Sequence, residues 1–251
     1  MSGTFDVGAF AALLLAARAS GEAISCRAEE EPSTEQQGYA VQHAVNATLG
    51  PIGGWKVGAA GPDAQPTTAP LPASGILPSP AAVPATFTDR LIEAEIAFTL
   101  ARDLPPRAEP YSRDEVIAAI GACHAVIELV QFRVPGQIGA NALLKLADSQ
   151  GHGALIVGAA LPDWTEIDFP RFSVTQEIAG LPAKHAVGNP AGDMIRLVAW
   201  LANEGTHWAG GLKAGQIVTC GSWTGAIAAP AGSAVSVTFQ GVVPVQLRFA
   251  S

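Results

Sequence analysis

The chain has 251 residues, of which 49% are hydrophobic and 14% are charged, and its formal net charge at pH 7 is −8. A chain of this length can bury a substantial core, and its 27 glycines and 19 prolines are typical of a turn-rich globular protein. Its 14 lysines and arginines are scattered, whereas phosphate binding needs a basic stripe. The composition therefore argues against nucleic acid as a partner and leaves an anionic small molecule open.

The cysteines and the N-terminal apolar run bear on the cellular compartment. The three cysteines are far apart and show no Cys-x-x-Cys spacing: Cys26, Cys123 and Cys220. They indicate reduced thiols rather than a disulfide framework or a zinc site. Residues 7–17 are apolar but too few to span a bilayer, and no Lys or Arg precedes them as in a secretory signal. We therefore expect a cytoplasmic protein that does not enter the membrane.

Two helices are predicted near the N-terminus. Residues 4–19 have the apolar spacing of an amphipathic helix. Residues 33–48 form the second helix, with Ser33 as its N-cap. We expect residues 1–50 to be an N-terminal helical segment and residues 51–251 a β-rich domain, the two making one continuous globular unit.

A lysine occupies the middle of the next predicted element, the short apolar strand over residues 53–58. Lysine is seldom buried without a partner, so Lys56 between Trp55 and Val57 is unusual. It could direct a cation at a substrate oxyanion or transfer a proton with a tunable pKa. The alternative is a lysine at a strand edge that reaches water.

Residues 59–86 are rich in proline and alanine and show no periodicity. Such a run inside a compact domain is typical of a lid, a long surface loop or a crossing connection. Because it separates Lys56 from the strand that follows, it could cover a site built from both.

Two glutamates share one face of the predicted strand over residues 90–100. Successive side chains of a strand alternate between its faces, so Glu93 and Glu95 point the same way. Carboxylates held roughly 6–7 Å apart raise each other's pKa unless a cation lies between them. A divalent ion that prefers oxygen ligands meets this need. The alternative is an exposed edge strand with a solvated acidic face, which a chain with only 14% charged residues makes less favoured.

A third glutamate follows in the next predicted strand. Residues 113–126 have helical spacing, with Ser112 as the cap, and lead into an apolar strand over residues 127–133 that contains Glu128. Three glutamates in apolar settings, on two strands joined by a helix, are what an oxygen-ligated Mg²⁺ or Mn²⁺ site needs.

Two glycine-containing turns supply candidate substrate-binding residues. In one, which contains Asp148 and His152, small residues let a ligand approach the backbone. His152 could contact substrate there, and the alternative is an ordinary histidine of a surface loop. The other turn follows a strand and offers backbone N–H groups with the hydroxyls of Ser222 and Thr224, which suit an anionic oxygen.

The remaining pattern predicts a β-hairpin over residues 171–187, a helix over residues 192–203 and closing strands over residues 233–249. We find no internal repeat, no dinucleotide or P-loop fingerprint and no nucleophile elbow.

Seven pieces of the chain, in this order, resemble the 2-keto-4-pentenoate hydratase and 4-oxalocrotonate decarboxylase family of the fumarylacetoacetate hydrolase superfamily. They are Trp55-Lys56-Val57-Gly58, Glu93-Ala94-Glu95-Ile96-Ala97-Phe98, Glu128, the turn at 148–153, Gly188-Asn189-Pro190, Trp200-Leu201-Ala202-Asn203 and Gly221-Ser222-Trp223-Thr224-Gly225. No single piece is specific, but the combination is.

The resemblance implies an α+β fold with a β-rich, rolled or barrel-like mixed sheet, and commonly a homo-oligomer. It implies a Mg²⁺ or Mn²⁺ ion held by three carboxylates, which match Glu93, Glu95 and Glu128, and it matches Lys56 to the family's lysine. These are the residues that the charge argument selects. Asp148, His152, Ser222 and Thr224 are then the expected substrate-binding residues.

The resemblance further implies a metal-dependent lyase that acts on a small 2-oxo or 2-hydroxydienoic acid through an enolate. Hydration of a 2-hydroxypenta-2,4-dienoate is the leading prediction, and decarboxylation or keto–enol isomerisation on the same site is the alternative. Relatives carry acidic residues where this chain has none, near Ser79 and Gln131. This departure keeps open a non-catalytic paralogue that binds a metal–oxo acid complex or partners an active subunit.

Overall fold

A large mixed sheet forms the centre of the computed structural model, which describes residues 5–134 and 141–250. In spatial order its strands are β2 (Thr67–Pro72), β1 (Ile52–Gly58), β10 (Ile217–Thr219), β5 (Leu91–Leu100), β6 (Ile120–Val130), β7 (His152–Ala160) and β3 (Ile76–Pro78), while β11 (Ile227–Ala228) pairs with β5. The pairs β1–β10 and β3–β7 are parallel and the other pairs are antiparallel.

A second sheet covers one face of the first. Its order is β4 (Ala81–Val83), β13 (Val245–Phe249), β12 (Ala234–Phe239), β8 (Ser173–Ile178) and β9 (Lys184–Val187). The main core lies between the two sheets, where inward side chains of β12 such as Val237 and Phe239 meet those of β5 and β6. This mixed, curled β-rich architecture confirms the predicted fold class.

Alternation along β5 separates the core from the functional face. Ile92, Ile96 and Phe98 are fully buried in the main core, so the residues between them point to the opposite face of the sheet. That second face carries Glu93 and Glu95, as the sequence predicted.

Five helices flank the sheets in the described ranges: α1 (Val7–Ser20), α2 (Glu35–Leu49), α3 (Arg113–Ala119), α4 (Ala142–Ala147) and α5 (Met194–Trp200). Helices α1, α2 and α4 pack on one another and share a cluster of buried side chains with Val130 and Phe132. Helices α3 and α5 add to the main core instead. The division of the chain at residue 50 stays a prediction.

The N-cap predicted for the second helix is wrong by one residue. Thr34 Oγ1 accepts the hydrogen bond from Gln37 N at 3.2 Å, so Thr34 is the cap of α2. Ser33 precedes the helix and donates to the Gln37 side chain.

The helix predicted over residues 113–126 ends much earlier. Ser112 caps α3 as predicted, through a capping box with Glu115, but the helix stops at Ala119 and β6 begins at Ile120. Strand β6 pairs with β5 from Ile120 to Val130. The ladder of hydrogen bonds with a ten-residue neighbour outweighs the local helical spacing of this segment.

The segment over residues 59–86 is also more regular than predicted, because it contains β2, β3 and β4. Proline is confined to strand edges and ends. Pro72 and Pro78 end β2 and β3, and β2 is the terminal strand of its sheet.

The predicted hairpin over residues 171–187 is confirmed as β8 and β9. The helix predicted over residues 192–203 is α5, followed by a π-helical turn at Leu201–Gly205. No helix in the described part of the chain combines the length and hydropathy needed to cross a bilayer.

The contact between β1 and β10 depends on a glycine. A Cβ at Gly54 would overlap the backbone carbonyl of Ile217 on the paired strand, whereas a Cβ at Gly58 would meet nothing within 4 Å. We expect Gly54→Ala to lower the free energy of unfolding by about 1–3 kcal/mol, since backbone atoms must move apart. Gly58→Ala is the matched control, and denaturant unfolding measures both. Equal stability of the two variants would contradict the close packing of β1 on β10.

Candidate metal centre

Three glutamates converge on the second face of the large sheet. Glu93 and Glu128 are directly opposed in the β5–β6 register, and Glu95 lies two residues along β5 on the same face. One carboxylate oxygen from each lies within 4.8 Å of the others. Across residues 5–134 and 141–250, this is the one group of three or more His, Cys, Asp or Glu side chains arranged to hold a metal ion.

Glu128 is the most enclosed of the three and its two oxygens differ. Its Oε1 accepts hydrogen bonds from Lys56 Nζ at 2.7 Å and from His152 Nδ1 at 3.2 Å. Its Oε2 is buried and, among the residues that the structure describes, has no hydrogen-bond partner. A buried carboxylate oxygen without a partner is costly, so this atom is suited to a ligand that the protein itself does not supply.

Glu95 is oriented by strand β10 and the turn after it. Its Oε2 accepts from the Thr219 hydroxyl and, at 3.1 Å, from Gly221 N. The parallel pairing of β1 with β10 places Thr219 opposite Lys56. The central part of the sheet therefore contributes to the site from four strands: β1, β10, β5 and β6.

The carboxyl groups share one lysine unequally. Burial raises the pKa of Glu93 to about 7, against the opposing effect of Lys56. Burial raises the pKa of Glu95 well above its usual range, with the charges of Glu128 and Glu93 adding to the effect. Burial would also raise the pKa of Glu128, but Lys56 and His152 outweigh it and hold that pKa below the usual value.

Lys56 and His152 carry different charges in this network. Burial by itself would lower the pKa of Lys56, yet the three carboxylates raise it above the ordinary value. Lys56 is therefore an ammonium group at neutral pH. Burial lowers the pKa of His152, so its imidazole is neutral and donates through Nδ1, because a carboxylate only accepts.

The donor set fits a divalent cation. When all three carboxyl groups are ionised, as metal binding requires, they and one ammonium group leave two negative charges in excess, which one divalent ion would balance. Carboxylate oxygens are the ligands that Mg²⁺ and Mn²⁺ prefer. Together with the partnerless Glu128 Oε2, this balance shows that the residues present fit such an ion.

A pocket of about 710 Å³ reaches two of the three carboxylates, those of Glu93 and Glu95. Its polar lining includes Lys56, Glu93, Glu95, Gln150, Asn189 and Ser222. Its apolar lining includes Val57 of β1, Ala59 directly after that strand, and Leu143 and Leu146 of α4. This volume is in the range of small-molecule sites.

The two predicted hydroxyls of the second turn have different surroundings. Ser222 lines the pocket, and its hydroxyl group opposes the rise in the pKa of Glu93. Thr224 does not line it: its hydroxyl donates to Gln176 Oε1 at 2.8 Å and accepts from Ala94 N at 3.1 Å. Thr224 therefore joins the turn to β5, and its assignment to substrate is corrected to an anchoring contact.

Asp148 and His152 also lie away from the pocket. Asp148 is 3% exposed, and its carboxylate accepts from Arg133 Nε at 2.6 Å and from Arg133 N at 2.7 Å. His152 is 1% exposed and lies behind Glu128. The structure thus places neither side chain where a ligand of the pocket would contact it. A turn rich in small residues predicts close approach of the backbone, not the direction of its polar side chains.

Sequence reasoning did not select Gln150 and Thr219. Ser149 and Gln150 both have positive φ, at 51° and 53°, and the resulting turn brings Gln150 O within 3.3 Å of Lys56 Nζ. Thr219 binds Glu95 across a sheet pairing that spans 124 residues of sequence. Only the alternation along β10 could have indicated that Thr219 faces the glutamates.

Comparisons with known proteins agree with this geometry. A 2-hydroxyhexa-2,4-dienoate hydratase of Comamonas testosteroni is 27% identical over 158 residues, which are 62% of this chain and 59% of the relative. A 4-oxalocrotonate decarboxylase of Pseudomonas sp. strain CF600 is 27% identical over 163 residues, 63% of this chain and 59% of the relative. These alignments thus span less than two thirds of either relative. No protein-family model matches the chain.

The whole described fold has a counterpart among solved structures. The 4-oxalocrotonate decarboxylase of Pseudomonas putida G7, complexed with magnesium and adipate, superposes with a TM-score of 0.84 over 97% of each chain at 23% identity. A Yersinia pestis CO92 protein assigned to the fumarylacetoacetate hydrolase family matches 79% of this chain and 93% of its own, with a TM-score of 0.58 and 17% identity.

The described fold is thus that of solved proteins such as the one assigned to the fumarylacetoacetate hydrolase family. On this fold, three convergent carboxylates lie beside a buried lysine. In sequence the chain is similar to 4-oxalocrotonate decarboxylases and 2-keto-4-pentenoate hydratases, which confirms the resemblance identified from its sequence.

The buried pair of Asp148 and Arg133 makes a prediction about stability. Asp148→Ala would leave the 3%-exposed Arg133 charge without its counter-ion. We expect a loss of about 3–5 kcal/mol in the free energy of unfolding, as is typical when one partner of a buried ion pair is removed. Asp168→Ala, which breaks an exposed pair with Arg171, is the control and should change little. Similar small losses for both variants would show that Asp148 has no structural role.

Proposed function

We propose that the protein is a divalent-metal-dependent lyase that acts on a small 2-oxo or 2-hydroxydienoic acid. Hydration of a 2-hydroxypenta-2,4-dienoate is the activity we favour. The observation that carries the proposal is the cluster of three carboxylates beside a charged lysine, two of which, Glu93 and Glu95, line a pocket together with that lysine. The names of the relatives support this class of reaction.

We infer that Glu93, Glu95 and Glu128 hold a Mg²⁺ or Mn²⁺ ion. When bound, such an ion would supply a Lewis acid for the negative charge that develops on a 2-oxo acid as it enolises. Magnesium or calcium accompanies the solved decarboxylase, which supports the assignment.

Lys56 is then the residue that contacts the reacting oxygen. Among the described residues, Glu128 Oε1 and Gln150 O accept from its ammonium group, which leaves one N–H directed to neither of them. Because its pKa is raised, Lys56 Nζ keeps its proton at neutral pH. This favours a role in holding the developing oxyanion over a role as a base.

The rest of the pocket would orient the substrate and limit access of water. The apolar side chains of Leu143 and Leu146 suit a short diene chain. The Ser222 hydroxyl and the Asn189 side chain lie at the same pocket. Asn189 Nδ2 donates to Cys220 O and Gly221 O at 2.9 and 3.1 Å, so we assign it to shaping the turn rather than to the substrate.

Decarboxylation and keto–enol isomerisation remain alternatives on the same site, because each passes through an enolate. The hypothesis of a non-catalytic paralogue rests on the lack of acidic residues near Ser79 and Gln131. Neither of these residues lines the pocket. Ser79 Oγ accepts from Gln246 N, and the Gln131 amide bonds Thr88 and Asp89. The catalytic assignment is therefore favoured.

We also propose a cytoplasmic homo-oligomer.

Substrate turnover tests the proposal directly. With Mg²⁺, we expect the wild type to consume 2-hydroxypenta-2,4-dienoate without release of CO₂. The loss of dienol absorbance measures this consumption. We expect Lys56→Met to lower kcat by about 10²–10³-fold, the range for a lost oxyanion donor, while Mg²⁺ binding is retained. Release of CO₂ from an oxalocrotonate would instead support the decarboxylase. Mg²⁺ binding without turnover of either substrate would support the non-catalytic alternative.

Metal binding can be tested without any substrate. We expect Glu95→Gln to weaken Mg²⁺ or Mn²⁺ binding by more than about 100-fold in calorimetry, since losing a ligand exceeds the 10–100-fold typical of its supporting residues. Glu177→Gln, on the exposed side of β8, is the control and should bind as the wild type does. Full affinity in Glu95→Gln would place the metal elsewhere.

A further inference from the structure

A second charged feature lies behind the metal centre, at the last turn of α1. The guanidinium group of Arg18 is partly buried there and makes one hydrogen bond, from NH2 to His152 O at 3.3 Å. Within residues 5–134 and 141–250, its other N–H groups have no hydrogen-bond acceptor. A guanidinium has five donors in a planar fork, so most of its capacity is unused.

The charge of Arg18 is not compensated by the nearest acid. Asp148 is the carboxylate that acts on the Arg18 charge, and its two oxygens already bind Arg133. Burial, together with the charge of Arg133, lowers the pKa of Arg18 to about 9, and Asp148 opposes this only in part. Arg18 is still cationic at neutral pH. Two guanidinium groups and one carboxylate leave one positive charge in excess.

Two adjoining cavities share the side chain of Arg18. The larger has a volume of about 320 Å³ and the smaller about 70 Å³, and both are also lined by Phe87 and Gly153. The smaller one has Arg133 as a further wall. The walls of the larger are mainly apolar and include Leu49, Leu77, Val83 and Phe87. We call the two cavities together the Arg18 pocket.

The Arg18 pocket is separate from the pocket over the carboxylates. The residues that line the two pockets do not overlap. His152 lies between them, since it lines the larger cavity and bonds Glu128 on its other side.

We propose that the Arg18 pocket binds a small monocarboxylate with a short apolar chain, the carboxylate on Arg18 and the chain along Leu77, Val83 and Phe87. One guanidinium fork matches one carboxylate in charge and in geometry. The apolar walls exclude a strongly hydrated dianion such as phosphate, because burial of an unpaired charge is costly.

Calorimetric titration with butyrate tests this assignment. The buffer contains a chelator, so that butyrate cannot bind through a metal ion, and the result is independent of the proposed enzyme activity. We expect saturable binding to the wild type and to Arg171→Gln, a control at an exposed arginine. Arg18→Gln should weaken binding by about 10–100-fold, as expected when a charged hydrogen bond is lost. Butanol and butylamine should not bind.

A second variant covers the case in which Arg18→Gln is poorly folded. Ser74 is exposed and lines the larger cavity, so Ser74→Trp should fill it and abolish butyrate binding with Arg18 intact. Butyrate affinity unchanged in both variants, or no saturable binding to the wild type, would overturn the proposal. A change in sedimentation of Arg18→Gln without butyrate would also overturn it, because Arg18 would then contact a second copy of the chain.

Discussion

Excess negative charge on one face of the large sheet is the constraint on which the rest of the structure depends. Three glutamates share one lysine there, and burial raises the pKa values of Glu93 and Glu95 although Lys56 opposes the rise, while Lys56 itself bonds Glu128. Such a cluster is unfavourable in an apolar setting unless a cation compensates it. The presence of this glutamate cluster is therefore better explained by ion binding than by a contribution to folding stability.

The two sheets make this arrangement tolerable by separating polar from apolar faces. The alternate residues of β5 and β6 that face the second sheet are fully buried hydrophobic side chains, including Ile96, Ile127 and Leu129. Their burial supplies the stabilisation, at about 25 cal/mol per Å² of apolar surface. The other face can then hold charged groups at fixed positions, because β-sheet pairing leaves little freedom in their spacing.

The turn between α4 and β7 connects the features of this face. Arg133 bonds Asp148 at one side of the turn and the carbonyl of His152 at the other. Between them, the positive φ of Ser149 and Gln150 brings a carbonyl to Lys56. Strained backbone of this kind persists where the surroundings determine it fully, and here the buried arginine supplies that restraint. The same turn separates the carboxylates from Arg18.

The sequence by itself determined the strand alternation, the three glutamates and the lysine, because these follow from local periodicity and from the rarity of charge in an apolar run. The fold class followed instead from the resemblance of the sequence to a known family. Only the tertiary structure decided that β6 begins at Ile120 and that Thr219 orients Glu95. It also decided that the side chains of Asp148, His152 and Thr224 bond other residues of the protein and do not line the pocket. Those outcomes depend on pairings between residues distant in sequence. Such pairings set both the end of a helix and the direction in which a polar side chain finds its partner.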